Sequence, residues 1–242
     1  MENDKIKFSE LYENFTGSGN INGKYWIVGL ESGSAEDFEN NNSELVNIFL
    51  TKDFIQIMNF INDFNQEYSG KSNFLDKEKK LLSALKYDKH HIMIYLDEKE
   101  YFYYPKHGDI FRTNIFPLPL KNDDPQTFIN ALPYYQQFLS FDENFTEKYE
   151  IFLRYKNKRI SKIKSLMKEK PKFIFILYKE WGESFINDFF NEIFEDIYEK
   201  KETVNRIDIF KGNLKTSPVI AVIPQTKISD EEINLFVESQ IL

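Results

Sequence analysis

Glu31 is the carboxylate best placed to do chemistry in this chain. It sits in Lys24-Tyr25-Trp26-Ile27-Val28-Gly29-Leu30-Glu31-Ser32-Gly33-Ser34, where residues of strand character run into a turn with two glycines. A buried strand that ends this way delivers backbone N–H groups and one acidic side chain to the carboxyl edge of a sheet, where open α/β folds hold their ligands. Glycine at 29 and 33 lets the backbone turn sharply and approach a ligand with no Cβ in the way. The same spacing also fits an ordinary strand-to-loop turn with a surface glutamate, because short glycine motifs recur by chance.

Two further groups have chemical potential. Asn114 is a polar residue in the apolar run Ile110-Phe111-Arg112-Thr113-Asn114-Ile115-Phe116-Pro117. Its amide both donates and accepts, and it fits equally a cap on the turn before Pro117. The second group is basic. Between Arg154 and Lys172 there are nine Lys/Arg and one acid, Glu169, so this window carries +8 while the net charge of the chain is −8. Such a run is a phosphate-binding footprint or a solvated helix face.

Other chemistries are absent from the sequence. With no cysteine there are no disulfides, thiolate nucleophiles or Cys-based metal sites. The three histidines, His90, His91 and His107, match no metal-ligand spacing, so neither a metal nor a cofactor is assigned. Composition is 41% hydrophobic and 17% aromatic, which excludes a disordered chain. No apolar run approaches the roughly 20 residues of a membrane helix, and Met1-Glu2-Asn3-Asp4-Lys5 lacks the lead of a signal peptide. The expectation is a cytoplasmic monomer of one domain, residues 1–242.

These groups must be positioned by a small set of elements. Strands are predicted at Tyr25–Gly29, in Asp109–Pro119, at Lys172–Tyr178 and at Pro218–Pro224, with an edge strand at Arg206–Phe210. Helices are predicted at Ser9–Phe15, from Ser43 to Ile61, at Leu75–Lys86, Asp124–Ser140, Phe145–Lys170, Trp181–Tyr198 and from Ser229 onward. Thr16–Asn20 reads as a loop, and His91–Leu96 with Tyr101–Tyr104 as an accessory hairpin. Long crossovers between short apolar strands imply an α/β fold. The expected architecture is three-layer α/β/α on a central, mostly parallel four-stranded sheet, with an insertion at about 35–105.

Four segments in this order resemble the uracil-DNA glycosylase superfamily. Gly29-Leu30-Glu31-Ser32-Gly33 is similar to its first motif, Gly-x-(Asp/Asn/Ala)-Pro-(Gly/Tyr), and Glu31 falls where several branches keep a catalytic Asp or Asn. Phe111–Leu118 resembles the segment whose Asn reads the flipped base. Phe173–Tyr178 with Lys179-Glu180-Trp181-Gly182 resembles the strand and helix start that follow. Pro224-Gln225-Thr226 stands where the family writes His-Pro-Ser. Ser32 replaces the usual Pro, and the usual His is absent, with Ile223 or Gln225 in its neighbourhood.

The resemblance implies a DNA glycosylase that hydrolyses the N-glycosidic bond of a flipped-out pyrimidine. It assigns Glu31, Asn114 and Gln225 to catalysis, and Gly29, Leu30, Ser32, Gly33, Ser34 and Phe116 to the base pocket. Arg154, Lys156, Lys158, Arg159, Lys162, Thr226 and Lys227 would hold DNA. Gly33 and Ser34 replace the bulky aromatic that closes the roof over the pyrimidine C5 in uracil-specific members. The roof is therefore open, which implies a C5-modified base such as a glycosylated hydroxymethylcytosine of phage DNA, and a role in phage defence. Three alternatives remain. They are a catalytically inactive nucleic-acid-binding module with the same fold, an acidic protein meeting a basic partner, and an enzyme cleaving free nucleosides or nucleotides.

Overall fold

The computed structural model describes residues 6–7, 17–29, 73–87, 93–96, 99–102, 108–114, 139–140, 148–177, 186–224 and 226–241. The chain divides into two compact units. One comprises residues 1–16, 31–65 and 114–163, and the other 17–30, 66–113 and 164–242. In the first unit β1 (Ile6–Lys7) pairs in parallel with β7 (Leu139–Ser140), so the last two residues of the helix expected at Asp124–Ser140 are strand instead. The helices expected at Ser9–Phe15 and Ser43–Ile61 lie outside the described residues.

The second unit is built on one mixed sheet. Its strands are β2 (Ser18–Gly19), β3 (Tyr25–Gly29), β6 (Ile110–Asn114, whose last residue belongs to the first unit), β8 (Phe173–Ile176), β9 (Tyr198–Val204), β10 (Ile207–Gly212) and β11 (Val219–Val222). They lie in the order β2-β6-β3-β8-β11-β10-β9. The pairs β3–β8 and β8–β11 are parallel, whereas β2–β6, β10–β11 and β9–β10 are antiparallel. Tyr25 N–H donates to Asp109 O just ahead of β6, so β3 and β6 start side by side from the same edge. The expected hairpin forms as a separate two-stranded sheet of β4 (Met93–Leu96) and β5 (Lys99–Phe102), the second strand beginning two residues earlier than the expected Tyr101.

The expected four strands are therefore the centre of a seven-stranded sheet. β2 was read as loop because glycines dominate it; Gly17, at φ +119°, leads into it with no room for a Cβ against the Arg112 carbonyl. β9 is not among the predicted strands, and it takes the edge position expected for Arg206–Phe210, the present β10. Residues 199–203 of β9 are exposed, so the inside–outside alternation that marks a strand is missing from its sequence. Charges of this kind suit an edge, where only one ladder is made.

Helices cover both faces of the sheet. On one face α1 (Asn73–Ala84) and α4 (Asp230–Gln240) bury Leu81, Leu82, Ile233, Phe236 and Val237 against Tyr25, Ile27, Phe175 and Ala221. The Phe175 and Phe236 rings meet edge to face at 6.5 Å. On the other face Trp26, fully buried, lies 5.1 Å from the Phe111 ring and 5.8 Å from the Phe194 ring. Phe194 is the last residue of α3 (Asn191–Phe194), which continues from a π-helical turn, Ile186–Phe190. The wider π turn brings the neighbouring Phe189 and Phe190 inward together.

The helix expected to reach Tyr198 stops at Phe194. Glu195 takes the left-handed conformation at φ 55°, and the next carboxylate, Asp196, captures the Ile197 N–H at 2.8 Å. Asp196 also accepts from Asn213 N (3.2 Å), Leu214 N (3.1 Å) and the Ser217 hydroxyl (2.5 Å), closing the β10–β11 connection. Gly212 is required beside it, since a Cβ there would run into the Asp196 carboxylate. Burial opposes the charge of Asp196, but the Ser217 hydroxyl and the three N–H donors outweigh it and hold the carboxyl below its usual range. A carboxyl depressed by folding stabilises above its unfolded pKa and loses that contribution as pH falls through the folded one. We expect Asp196→Asn to lower thermal stability at neutral pH and to flatten the decline below about pH 4, measured as Tm against pH. An unchanged Tm profile would show that the four bonds contribute nothing net.

Candidate functional site

Strand order decides which edge of the sheet can hold a ligand. The next strand of this sheet in the chain after β3 is β6, on one side of it, whereas the next after β8 is β9, which lies on the other side beyond β11 and β10. Connections leaving neighbouring strands in opposite directions open a crevice at their carboxyl ends, the usual ligand position in open α/β sheets. Here that point lies between the ends of β3 and β8. Leu177 N–H still donates to Val28 O (2.9 Å), and Ile223 N–H to Ile176 O (2.8 Å), so pairing persists to the lip of the edge.

Gly29 is the last residue of β3 and is buried there. Leu30, Glu31, Ser32, Gly33 and Ser34, which continue from it, lie outside the described residues, as do Phe116 and Gln225. Asn114 is the last residue of β6. Pro224, just past β11, is buried. The strands that carry the four motif segments are thus neighbours in the sheet.

The basic run is split by the structure. α2 (Lys148–Leu166) leaves Arg154 and Lys158 exposed and Lys156 and Lys162 half-buried. Arg159, however, is only 1% exposed, on the side of α2 that also buries Tyr155, Ile160 and Ile163. It is not part of an exposed phosphate-binding face, and its placement among the DNA contacts is corrected. Charge alone cannot identify such a residue, because a buried Arg and an exposed one read alike in sequence.

The tail of the run lies at the other edge of the sheet. Lys172 N–H donates to Lys24 O at 2.8 Å, and the Asn22 side chain accepts from the backbone N–H groups of Lys168 and Glu169. These are amino ends of strands, some 15 Å from Gly29 along β3 at about 3.3 Å per residue. Two of the lysines there are engaged with α3. Lys164 pairs with Glu195 at 2.6 Å, and Lys170 donates to Phe194 O at 3.2 Å, where cations favour a helix end.

Thr226 and Lys227 are exposed and are brought together by a residue that the sequence reading did not single out, Arg206. Its Nε and Nη2 grip the two oxygens of Glu232 at 2.7 and 2.8 Å, Nη2 also reaches Lys227 O at 3.0 Å, and Nη1 reaches Thr226 Oγ1 at 3.2 Å. Glu232 in turn closes the N-terminus of α4 through a capping box with Ser229. Arg206 together with the Ser229 groups holds the Glu232 carboxyl down to about 2.

Arg206 sits in the two-residue turn between β9 and β10, where Asn205 (φ 48°) and Arg206 (φ 69°) both have positive φ. Such a turn favours Asn followed by Gly. A non-glycine residue held in this region costs on the order of 1–3 kcal/mol. The available signal was Asn205 between two runs able to form strands, and it was obscured by the charge of β9.

Charged groups are also buried between α1 and β6. Arg112 of β6 (4% exposed) and Glu78 of α1 (0% exposed) stand 3.3 Å apart, Nε to Oε1. Beside Glu78 in sequence, Lys77 is 2% exposed, and burial lowers its pKa to about 8. Nothing in the periodicity of α1 predicts consecutive buried charges.

Among the described residues no group of His, Asp and Glu side chains could hold a metal ion. No described helix is long and apolar enough to cross a membrane. No protein-family model matches the chain, and no curated protein matches it.

Proposed function

We propose that the protein is a DNA glycosylase that hydrolyses the N-glycosidic bond of a flipped-out pyrimidine and leaves an abasic site. The observation that supports this most is the adjacency of the four motif strands, with the switch point at the end of β3. The segment carrying Glu31 leaves the sheet there, and those carrying Asn114, Trp181 and Gln225 leave from neighbouring strands.

Cleavage develops positive charge on the sugar and negative charge on the departing base. The Glu31 carboxylate stabilises the sugar cation and deprotonates the attacking water, whose oxygen bonds to C1′ as the C1′–N bond breaks. The bond's electron pair leaves with the base. The Asn114 amide reads the base edge, and Gln225, or a backbone N–H beside it, donates to the leaving base in place of the family's histidine. No cofactor is needed for this hydrolysis.

Small residues at Gly33 and Ser34, with Leu30, Ser32 and Phe116, give a pocket open at the pyrimidine C5. The substrate is a C5-modified pyrimidine such as glycosylated hydroxymethylcytosine in phage DNA, and the setting is defence in the cytoplasm by a monomer. Reaching that base requires flipping it from the stack while the backbone is gripped. That grip is assigned to Arg154, Lys156, Lys158 and Lys162 on α2 in one unit and, separately, to Thr226 and Lys227 in the other; Arg159 is left out because it is buried.

The test is base release. Wild-type protein is incubated with uracil-containing DNA, unmodified DNA and phage DNA carrying glucosylated hydroxymethylcytosine, and abasic sites are scored by alkaline cleavage. Sites in the glucosylated DNA are the expected result. Release of uracil alone would refute the open roof, and no abasic site on any DNA would leave the inactive binding module as the reading.

A further inference from the structure

We propose that the amino edge of the seven-stranded sheet docks the protein onto an anionic lipid bilayer, an inference independent of the glycosylase reading. The segments that meet at this edge all belong to the second unit and are bonded to one another. Val219 N–H donates to Lys172 O at 2.9 Å, and Lys172 N–H to Lys24 O at 2.8 Å, so the starts of β3, β8 and β11 stand in a row. Because β10 runs against β11 and β9 against β10, the end of β10 and the start of β9 arrive at the same edge. The Asp196 carboxylate ties them together there, accepting from Ile197 N–H on one oxygen and from Leu214 N–H on the other. Lys170 closes the group by donating to Phe194 O.

Two large aliphatic side chains are left in water at this edge, Ile197 at 61% exposure and Leu214 at 51%. The shared carboxylate holds their backbones close together. Around them Lys24, Lys168, Lys170, Lys172 and Lys215 are exposed. Lysines outnumber acids here, where Glu169 is exposed, Asp109 accepts from Tyr87, Glu195 pairs with Lys164, Glu199 pairs with Lys201 and Asp196 is buried.

Lysine and aliphatic side chains together fit a bilayer better than other anionic partners. A phosphate backbone has no use for Ile197 and Leu214, and the bidentate Arg that suits phosphate is not among these residues. Protein interfaces concentrate Trp, Tyr and Arg at their centres and are depleted of Lys. An anionic bilayer uses both types at once, its headgroups attracting lysine while aliphatic side chains enter the boundary below. The chain carries a net charge of −8, so the field that draws this edge in turns the acidic remainder away. Docked in this way, the protein presents the carboxyl ends of β3 and β8 to the solution.

Sedimentation with vesicles is the test. Wild type, the pair Ile197→Ser with Leu214→Ser, and the pair Lys168→Glu with Lys172→Glu are each mixed at about 0.1 M salt with vesicles of phosphatidylglycerol and phosphatidylcholine, or of phosphatidylcholine alone. Wild type should pellet with the anionic vesicles and stay in solution with the neutral ones. The partition coefficient is expected to fall about 10-fold or more on the lysine reversal, and about 5- to 10-fold in the serine variant. The substituted side chains are exposed, so Tm should stay within about 3 °C of wild type in both. Wild type that stays in solution with anionic vesicles overturns the proposal, as does pelleting that either pair leaves unchanged. Duplex DNA retarded by wild type and the serine variant alike, but not by the lysine variant, with no pelleting on vesicles, would assign the edge to a nucleic acid instead.

Discussion

Glu31→Gln should abolish most base release while leaving DNA affinity close to wild type. The side chain is the only acid between Asn20 and Glu36, and it follows the strand whose end lies at the switch point of the sheet. Glutamine keeps the shape and one acceptor oxygen but removes the negative charge and the basic oxygen that the proposed reaction requires of Glu31. Positioned proton transfer alone contributes about 10²- to 10⁴-fold, so a loss of at least that size in single-turnover rate is expected. Binding is measured separately with the same DNA, because a loss of affinity equal to the loss of rate would make Glu31 a packing or binding residue. Rates unchanged by Glu31→Gln would remove it from the chemistry altogether.

The second large effect concerns stability. Glu78 and Arg112 are both almost inaccessible to water, and the pair joins α1 to β6. Removing the charge from one member of a buried ion pair costs about 3–5 kcal/mol. Glu78→Gln is expected to lower the unfolding free energy by that amount, read as a fall in the urea midpoint equal to the loss divided by an unchanged m-value. The double variant with Arg112→Met should cost less than the two single changes added together, since residues in direct contact are coupled by about 0.5–3 kcal/mol. Additive losses would mean that the 3.3 Å approach carries no net coupling.

The parts of the fold that the sequence made legible are those where burial and periodicity agree. Tyr25–Gly29, Phe173–Ile176 and Val219–Val222 are short apolar runs in the middle of a sheet, and each emerged as a buried strand. α4 begins at Ser229 as its capping pattern indicates. The misses share a different physics. β9 is made of Glu and Lys because it lies at an edge, so its pairing depends on a neighbour that the local pattern does not show. α3 ends early because Asp196 takes up backbone donors supplied partly by residues 213 and 214, distant in sequence.

The same limit applies to the candidate site. Gly29 and the strand ends were placed by pattern, whereas the Arg206 clamp joins three stretches up to 26 residues apart. Arg159 shows the reverse case. Its charge suggested a surface role, and its helix face buried it.

The outer strand of the sheet also bears on how copies of the protein meet. Along β9 the charges read Glu199-Lys200-Lys201-Glu202, a short palindrome. If two copies approached edge to edge in antiparallel fashion about its centre, Lys200 would face Lys201 and Glu199 would face Glu202. Like charges directly opposite one another on paired strands repel. The edge thus discourages its own continuation into a sheet of many molecules, and reversing the order of one Lys–Glu step would turn that repulsion into a match.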